Sequence, residues 1–286
     1  MAGVGAGVTE EERYLRFRAG GDPRPRWGRR RGTAVVVELS DAPWEPGCRE
    51  VGELPAAGLS LLAPAQPTKI LALAYNYRDL FADPAARTSA REPHYTDPGF
   101  EPLVFLKGPN CLLDPGAPIV VPVVPQGAAE VWVEVEVTAV IGRRARGLPD
   151  GAAARAHVFG VTIGNDVTAL NVLGRDWHLA RSKSLDGFCP LGPELVRGFD
   201  DAARPLWTEI SGRRTQASTT ANRVLDTYEA VALASRLMTL EPGDCVLTGT
   251  PGGARQSLIR PGDVVQLSVD GLGTLENPVE QERPHG

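Results

Sequence analysis

Apolar residues along this chain recur mainly in short runs that end at proline or glycine, a pattern typical of strands joined by turns. Residues 131–142 (VWVEVEVTAVIG) form the most strand-like run, because Val, Trp, Ile and Thr dominate it and a glycine ends it. The same pattern predicts further strands at residues 14–17, 33–39, 69–74, 102–107, 118–122, 161–166, 246–251 and 264–269. With 25 Pro and 32 Gly in 286 residues, strands and short loops should outweigh helices.

One segment, residues 227–240, carries the signals of a helix. Asp226 can cap its first turn, and Glu229 follows three residues later, which is the arrangement of a capping box. The segment should end before the turn sequence PGD at residues 242–244. Its buried face follows the 3.6-residue helical period and consists of Val231, Ala234, Ser235 and Met238.

The chain length allows a large domain accompanied by a small one. Residues 1–12, which begin MAGVGAGV, read as a flexible tail. Residues 13–66 read as a small β-rich module and its linker, and the Pro-, Gly- and Ala-rich stretch 42–67 is predicted to be that linker, with one short helix. Residues 67–286 then form the larger domain.

Two carboxylates interrupt the most apolar strand. Glu134 and Glu136 are two residues apart, a spacing that places both side chains on the same face of a strand. Like charges held together on a buried face repel each other and are costly to desolvate. A hard divalent cation bound by carboxylate oxygens would convert this cost into binding energy. Asp166, at the end of a later strand-like run, is a third candidate ligand.

The overall composition argues against several other classes of function. A net charge of −5 and a single basic run at residues 24–31, broken by Pro and Trp, do not suggest nucleic-acid binding. No apolar stretch approaches the ~20 residues of a membrane span, and no signal peptide is recognisable. The cysteines are scattered without a CxxC motif, which argues against zinc and disulfides and fits a reducing cytoplasm.

A set of motifs, in this order along residues 69–280, resembles the fumarylacetoacetate hydrolase family. Any one of them alone is unspecific, and the resemblance is carried by the ordered set. The motifs are YNYR at 75–78, FLKGP at 105–109, EVE at 134–136, GNDV at 164–167, KSLDGFCPLGP at 183–193, MTLEPGD at 238–244 with TGTP at 248–251, PGDV at 261–264 and GLGTL at 271–275. The resemblance implies an α+β catalytic domain, a mixed β-sandwich roll, often assembled as a homodimer.

The resemblance also implies one divalent ion, usually Mg²⁺ or Mn²⁺ and sometimes Ca²⁺. Its ligands would be the three carboxylates described above, and Lys183 would lie beside the ion and contact the substrate. Gln216 and Thr250 match substrate-contacting positions. Arg78 could bind a substrate carboxylate with its forked guanidinium or could anchor a surface loop.

The substrates implied by this resemblance are 2-oxo acids or 1,3-dicarbonyl acids. Such a compound can chelate a divalent ion through two oxygens, and the ion then stabilises the enolate that forms when a C–C bond breaks or a proton leaves. Lys183 would add positive charge at the same oxygens. The first hypothesis is therefore a metal-dependent hydrolase or lyase that acts on an acylpyruvate-like compound.

The sequence departs from the hydrolytic members of the family in the lid-like segment 79–101. Where those members carry the His-x-x-Glu pair that activates water, this chain has Leu80 and Asp83. Leucine cannot accept a proton, and a general base typically contributes ~10²–10⁴-fold to the rate. The base could have moved to His94 or to His178. The enzyme could instead perform non-hydrolytic chemistry such as decarboxylation, tautomerisation or cyclisation, or the chain could be a catalytically silent homologue.

Overall fold

The computed structural model describes residues 11–82, 94–124, 127–170 and 179–283. The N-terminal part of the chain forms five strands, β1 (Glu12–Ala19), β2 (Asp22–Arg31), β3 (Val35–Leu39), β4 (Glu50–Pro55) and β5 (Leu59–Leu62). The remaining strands up to the centre of the chain are β6 (Ile70–Ala74), β7 (Leu103–Lys107), β8 (Leu112–Leu113), β9 (Ile119–Val121), β10 (Val123–Val124), β11 (Gly127–Ala128), β12 (Val131–Trp132) and β13 (Val135–Ile141).

The second half of the chain continues this pattern with few helices. Its strands are β14 (Val158–Asn165), β15 (Thr168–Ala169), β16 (Cys189–Arg197), β17 (Pro205–Ile210), β18 (Arg213–Thr219), β19 (Cys245–Leu247), β20 (Leu258–Ile259), β21 (Val264–Val269) and β22 (Gly273–Gln281). The α-helices are α1 (Gly151–Arg155), α2 (Ala180–Lys183) and α3 (Thr227–Leu237), and short 3-10 helices occupy Arg78–Ala82, Pro109–Cys111, Thr220–Asn222 and Ala254–Gln256. Among the described residues no helix is long and apolar enough to cross a membrane.

One large mixed sheet organises the described residues. Its strands follow the order β4-β3-β2-β1-β16-β14-β13-β19-β6-β7, and β5 and β8 attach to β1 and β16. The N-terminal strands are thus continuous with the sheet of the larger domain through the β1–β16 pair. A Glu194–Arg30 ion pair, with 2.6 Å between Oε1 and Nε, strengthens this junction.

A second sheet packs against part of the large one. Its order is β18-β17-β21-β22-β9, and its apolar side chains share one core with those of β13 and β14, including Val135, Val137, Ile163, Leu267 and Leu275. Helix α3 covers β6, β13 and β19 through a further apolar cluster. The predicted α+β fold, a mixed β-sandwich roll with a small β-rich N-terminal module, is confirmed.

Two local predictions were wrong. The stretch 42–67 contains no helix; it forms the strands β4 and β5. Most of the side chains of β4 are exposed, so this edge strand lacks the apolar alternation that identifies a strand in sequence. The predicted helix 227–240 has its capping box at Asp226 and Glu229 but ends at Leu237, because Met238 is extended and Leu240 pairs with Ala145.

The predicted strand 131–142 is divided in two. Strand β12 pairs with β15 and β20, whereas β13 enters the large sheet between β14 and β19. Val133 and Glu134 lie at the break, where the backbone N–H of Glu134 donates to the side-chain oxygen of Asn165 at 3.1 Å. The break moves Glu134 out of regular pairing and leaves its carboxylate beside the end of β14.

Candidate metal centre

Antiparallel pairing brings the three carboxylates together. In the β13–β14 register Glu136 lies opposite Gly164 and Val135 opposite Asn165, so the next residues outward are Glu134 and Asp166. The Asp166 N–H donates to the Glu134 carbonyl at 3.1 Å, which continues the ladder by one step. One carboxylate oxygen from each acidic side chain lies within 4.8 Å of the others, and all three residues are buried.

The cluster contains more negative charge than its lysines neutralise, since three carboxylates face two ammonium groups. Burial raises the pKa of Glu134 to about 7, although the ammonium of Lys183 opposes this rise. Burial and the charges of Asp166 and Glu134 raise the pKa of Glu136 well above its usual range. Burial also disfavours the charge of Asp166, but Lys107 and Lys183 outweigh it and hold the pKa of Asp166 below its usual value.

Lys183 reaches the cluster from the last turn of α2. Its Nζ donates to Glu134 Oε2 at 2.8 Å and to Asp166 Oδ2 at 2.5 Å, and it lies 5.1 Å from the centroid of the Phe105 ring. Desolvation opposes the charge of Lys183, but the two carboxylates raise its pKa above the usual range. Lys183 therefore holds its proton firmly and stands where it can neutralise charge on a ligand of the cluster.

A second lysine was not predicted to belong to the site. Lys107, the last residue of β7, is fully buried, and its Nζ donates to Asp166 Oδ1 at 2.7 Å and to the Val167 carbonyl at 3.3 Å. Asp166 is thus held by one lysine on each carboxylate oxygen. In the structure Lys107 follows Phe105 by two residues and shares its face of β7, and the Phe105 ring lies beside Lys183.

Glu136 has a different kind of partner. Its Oε2 accepts a hydrogen bond from the backbone N–H of Gly249 at 2.6 Å. Gly249 has φ of 94°, and a Cβ there would lie 2.9 Å from the Cβ of Asn76. The buried amide of Asn76 fixes this turn, since it donates to the Thr248 carbonyl at 2.7 Å and bonds the backbone of Leu225. Asn76 and Gly249 therefore position the N–H that faces Glu136.

Two of the residues predicted to contact substrate, Gln216 and Thr250, lie next to β13. The Gln216 side chain is buried, and its Nε2 donates to Thr250 Oγ1 at 3.0 Å and to the Pro251 carbonyl at 2.9 Å. Its Oε1 accepts from Thr208 and from the Val135 N–H. The Thr250 hydroxyl in turn donates to the Val135 carbonyl at 3.1 Å. Gln216 is committed to holding the Thr250 turn, and a direct contact of either residue with substrate stays a prediction.

The 3-10 helix Arg78–Ala82 docks on the turn that follows Thr250. The Asp79 carboxylate accepts hydrogen bonds from the hydroxyl of Ser218 and from the N–H of Gly252, the latter at 3.4 Å. Leu80 is half-buried and packs against the core cluster that contains Val133 and Val135. An apolar side chain thus occupies the position at which the resemblance to hydrolytic members of the family implies a histidine.

The remaining predicted site residues, inside and outside the lid-like segment, have different surroundings. Arg78 is exposed and donates through Nη1 to the backbone carbonyls of Ala221 and Arg223, which favours its role as an anchor of the loop. His94 contacts the Phe81 and Tyr95 rings, and its Nδ1 lies 2.7 Å from Thr96 Oγ1. The positions of Asp83 and His178 lie outside the described residues.

The chemistry of the cluster fits a hard divalent cation. All three candidate ligands are oxygen donors, as Mg²⁺, Mn²⁺ and Ca²⁺ prefer. Both lysines bind Asp166 and one of them also binds Glu134, whereas the Glu136 carboxylate accepts a hydrogen bond from the neutral N–H of Gly249. A cation shared among the three carboxylates would stabilise the buried charge of Glu136 most of all.

The chain belongs to the fumarylacetoacetate hydrolase family. The family model described as "Fumarylacetoacetate (FAA) hydrolase C-terminal" matches residues 69–280, and a model described as "Rv2993c-like, N-terminal" matches residues 12–64. The structural neighbours are isomerases and hydrolases of the same family, which makes an enzymatic role the expectation for this chain.

Three similar proteins illustrate the range of this family. The mitochondrial oxaloacetate tautomerase FAHD2B of Bos taurus is 34% identical over 243 residues, which cover 79% of this chain and 71% of that protein. The structure of 5-carboxymethyl-2-hydroxymuconate delta-isomerase from Mycobacterium smegmatis is 33% identical, with a TM-score of 0.80 and coverage of 94% of this chain and 100% of that chain. Maleylpyruvate hydrolase from Sphingobium sp. SYK-6, solved with manganese(II) and pyruvate, is 26% identical, with a TM-score of 0.70 and coverage of 95% and 100%.

Proposed function

We propose that this protein is a divalent-metal-dependent enzyme that moves a proton between the enol and keto forms of an anionic 2-oxo acid. The observation that carries the proposal is the pairing of a complete carboxylate and lysine cluster with an apolar Leu80 at the water-activating position. Enol–keto exchange requires stabilisation of the enolate, an acceptor for the enol proton and a donor to the carbon, roles that solvent water can fill, but it requires no nucleophilic water. The resemblance to a tautomerase and to a delta-isomerase supports the same reaction class.

The roles of the residues follow from their positions. Glu134, Glu136 and Asp166 would hold Mg²⁺ or Mn²⁺, and the Sphingobium hydrolase solved with manganese supports this metal class. The ion would supply Lewis-acid charge to a chelating 2-oxo acid and so stabilise its enolate. Lys183 would add a fixed positive charge beside the same oxygens. The Thr250 turn, held by Gln216, would orient the substrate carboxylate.

The proposal is tested by enol–keto exchange of oxaloacetate, followed through the absorbance of the enol. The purified protein with Mn²⁺ should accelerate exchange above the rate with Mn²⁺ alone, and a chelator should remove the acceleration. The chain carrying Glu136→Gln, at the same Mn²⁺ concentration, controls for catalysis by the free metal. Bound Mn²⁺ without any acceleration on this or related 2-oxo acids would instead indicate a catalytically silent homologue.

Hydrolytic cleavage of an acylpyruvate is the second candidate function, supported by the likeness to maleylpyruvate hydrolase. Hydrolysis needs a general base, and leucine at position 80 cannot act as one. Asp83, His94 and His178 are proposed for that role. Decarboxylation or cyclisation of a 2-oxo acid would need the same enolate stabilisation without such a base.

We expect the double change Leu80→His and Asp83→Glu to raise the rate of acylpyruvate hydrolysis by about 10²-fold. The reason is that it restores the His and Glu side chains that activate water in hydrolytic members of the family. Product formation with Mn²⁺ is the measurement. Leu80→Gln with Asp83→Glu is the matched control, since it adds a polar group of similar size that cannot act as a base near neutral pH. Efficient acylpyruvate cleavage by the unmodified chain would favour hydrolysis as its own reaction.

We also propose that the protein is a cytoplasmic homodimer. The four cysteines are free, as expected in a reducing compartment. The edge strand β7 carries two leucines, Leu103 and Leu106, each close to half exposed, which a second copy of the chain could cover. The proposed partners are otherwise small anionic substrates, with no nucleic acid and no membrane.

A further inference from the structure

The burial of Lys107 is not explained by the need to neutralise Asp166. Asp166 already has an ion pair with Lys183, at 2.5 Å through Oδ2, and Lys107 adds a second one at 2.7 Å through Oδ1. The side chain of Lys107 is 0% exposed. Burying an ammonium is costly, and an apolar residue of similar length would fill the same volume without that cost. The second charge therefore has a purpose beyond packing.

The ammonium of Lys107 has two protein partners at the centre. Its Nζ donates to Asp166 Oδ1 and to the Val167 carbonyl, whereas Lys183 binds Glu134 and the other oxygen of Asp166. These contacts favour a role for Lys107 through Asp166 and through its charge at the centre.

Counting charges indicates what this field does. Three carboxylates, two ammoniums and one divalent ion leave one net positive charge, whereas the same group without Lys107 is neutral. A net charge in a water-poor site acts over several ångströms, and it favours a dianion over a monoanion of the same shape.

We propose that Lys107 is a positioning and specificity-determining residue, which fixes Asp166 and makes the metal-loaded centre selective for doubly charged ligands. This inference rests on the proposed metal-dependent function. The ligands concerned are compact dianions, such as the enolate of a 2-oxo acid with its carboxylate ionised.

Oxalate and oxamate test this selectivity, because they have nearly the same shape but oxalate carries two negative charges and oxamate one. Each is titrated calorimetrically into the Mn²⁺-loaded protein, with a blank titration into free Mn²⁺. The unmodified chain should prefer oxalate. In Lys107→Met the ratio of the oxalate to the oxamate binding constant should fall by about tenfold, while Mn²⁺ still binds because the three carboxylate ligands remain.

Two further variants keep the interpretation clear. Lys107→Gln retains a donor for Asp166 without the charge, so it should lose selectivity to a similar extent as Lys107→Met. Lys69→Met is the matched control, since Lys69 lies beside Ile70, the strand partner of Lys107, but pairs with the buried Asp244 at 2.5 Å rather than with a carboxylate of the cluster, so its loss should leave the ratio unchanged.

An unchanged ratio in both Lys107 variants would overturn the proposal, as would a loss of Mn²⁺ binding in either of them, which would make Lys107 a structural prop only. If the oxalate to oxamate ratio fell in Lys107→Met but stayed unchanged in Lys107→Gln, the effect would come from the hydrogen bond to Asp166. That result would overturn the role of charge. Failure of oxaloacetate exchange in a protein that still binds Mn²⁺ and discriminates oxalate would count against the proposed function and not against Lys107.

Discussion

Replacing Glu136 with glutamine is expected to reduce Mn²⁺ affinity and metal-dependent turnover by about 100-fold or more, since the loss of a ligand should exceed the 10–100-fold typical of outer-shell residues. The metal-free protein should nevertheless remain as stable as the unmodified chain, within about 1 kcal/mol. Without a cation, burial and two neighbouring carboxylates already favour the protonated form of Glu136 by raising its pKa. The Gly249 N–H can still donate to the oxygen of the new amide.

Asp166→Asn provides the contrast. It removes a ligand of the same cluster, so Mn²⁺ binding should fall similarly, but it also leaves Lys107 and half of the bonding of Lys183 without a carboxylate. Breaking a buried ion pair by removing one partner typically costs ~3–5 kcal/mol, so the metal-free Asp166→Asn protein should be clearly less stable. Calorimetry for Mn²⁺ and denaturant unfolding of the metal-free proteins separate the two variants.

Equal losses of stability in both variants would mean that the cluster is a structural ion network with no special need for a cation. Full Mn²⁺ binding by Glu136→Gln would place the metal elsewhere. The contrast between the two carboxylates is therefore a direct test of whether the under-compensated charge of Glu136 is what the ion neutralises.

The core of this site could be predicted from sequence because it depends on local spacing. Two glutamates separated by one residue stay close together even though the predicted strand breaks at Glu134. Asp166 could be anticipated because it ends a second strand, and antiparallel pairing then brings it beside Glu134. The capping box at Asp226 is equally local, and the structure forms it as predicted.

The parts that could not be predicted depend on tertiary packing. A lysine at the end of an apolar strand is also the ordinary way to keep a sheet edge from aggregating, so the sequence alone does not reveal that Lys107 is buried. Its burial follows from the docking of residues 166–167 onto β7. The break at Glu134 was missed for a related reason, because β20, which pairs with β12, lies far along the chain. Strand β4 was missed because most of its side chains are exposed.

The hydrogen bonds of Gln216, a predicted substrate contact, also depend on tertiary packing that the sequence does not reveal. Its residue type fits a hydrogen bond to an organic acid, but both ends of its amide bond to Thr208, Val135, Thr250 and Pro251. Its effect on a ligand would therefore pass through the geometry of the Thr250 turn. The resemblance to the family supplied this assignment, and a direct contact of Gln216 with substrate stays a prediction.

Replacing Lys183 with methionine should lower kcat for enol–keto exchange by about 10²–10³-fold, the loss typical when one preorganised donor to a developing oxyanion is removed. Mn²⁺ binding should persist, because all three carboxylates remain and one competing positive charge is lost. The KM for a substrate held mainly by the metal should change far less than kcat. This pattern differs from that of Lys107→Met, in which selectivity between dianion and monoanion is the property that changes.

Arg181→Met is the matched control for this prediction. Arg181 lies on the same short helix α2, two residues before Lys183, but its side chain is exposed and its loss should leave kcat within about twofold of the unmodified chain. Stopped-flow measurement of enol decay with Mn²⁺ gives kcat and KM, and calorimetry gives the metal affinity. A parallel loss of Mn²⁺ affinity and activity in Lys183→Met would show that Lys183 only holds Glu134 and Asp166 in place, since an ammonium that acts on the substrate must affect turnover while the metal is still bound.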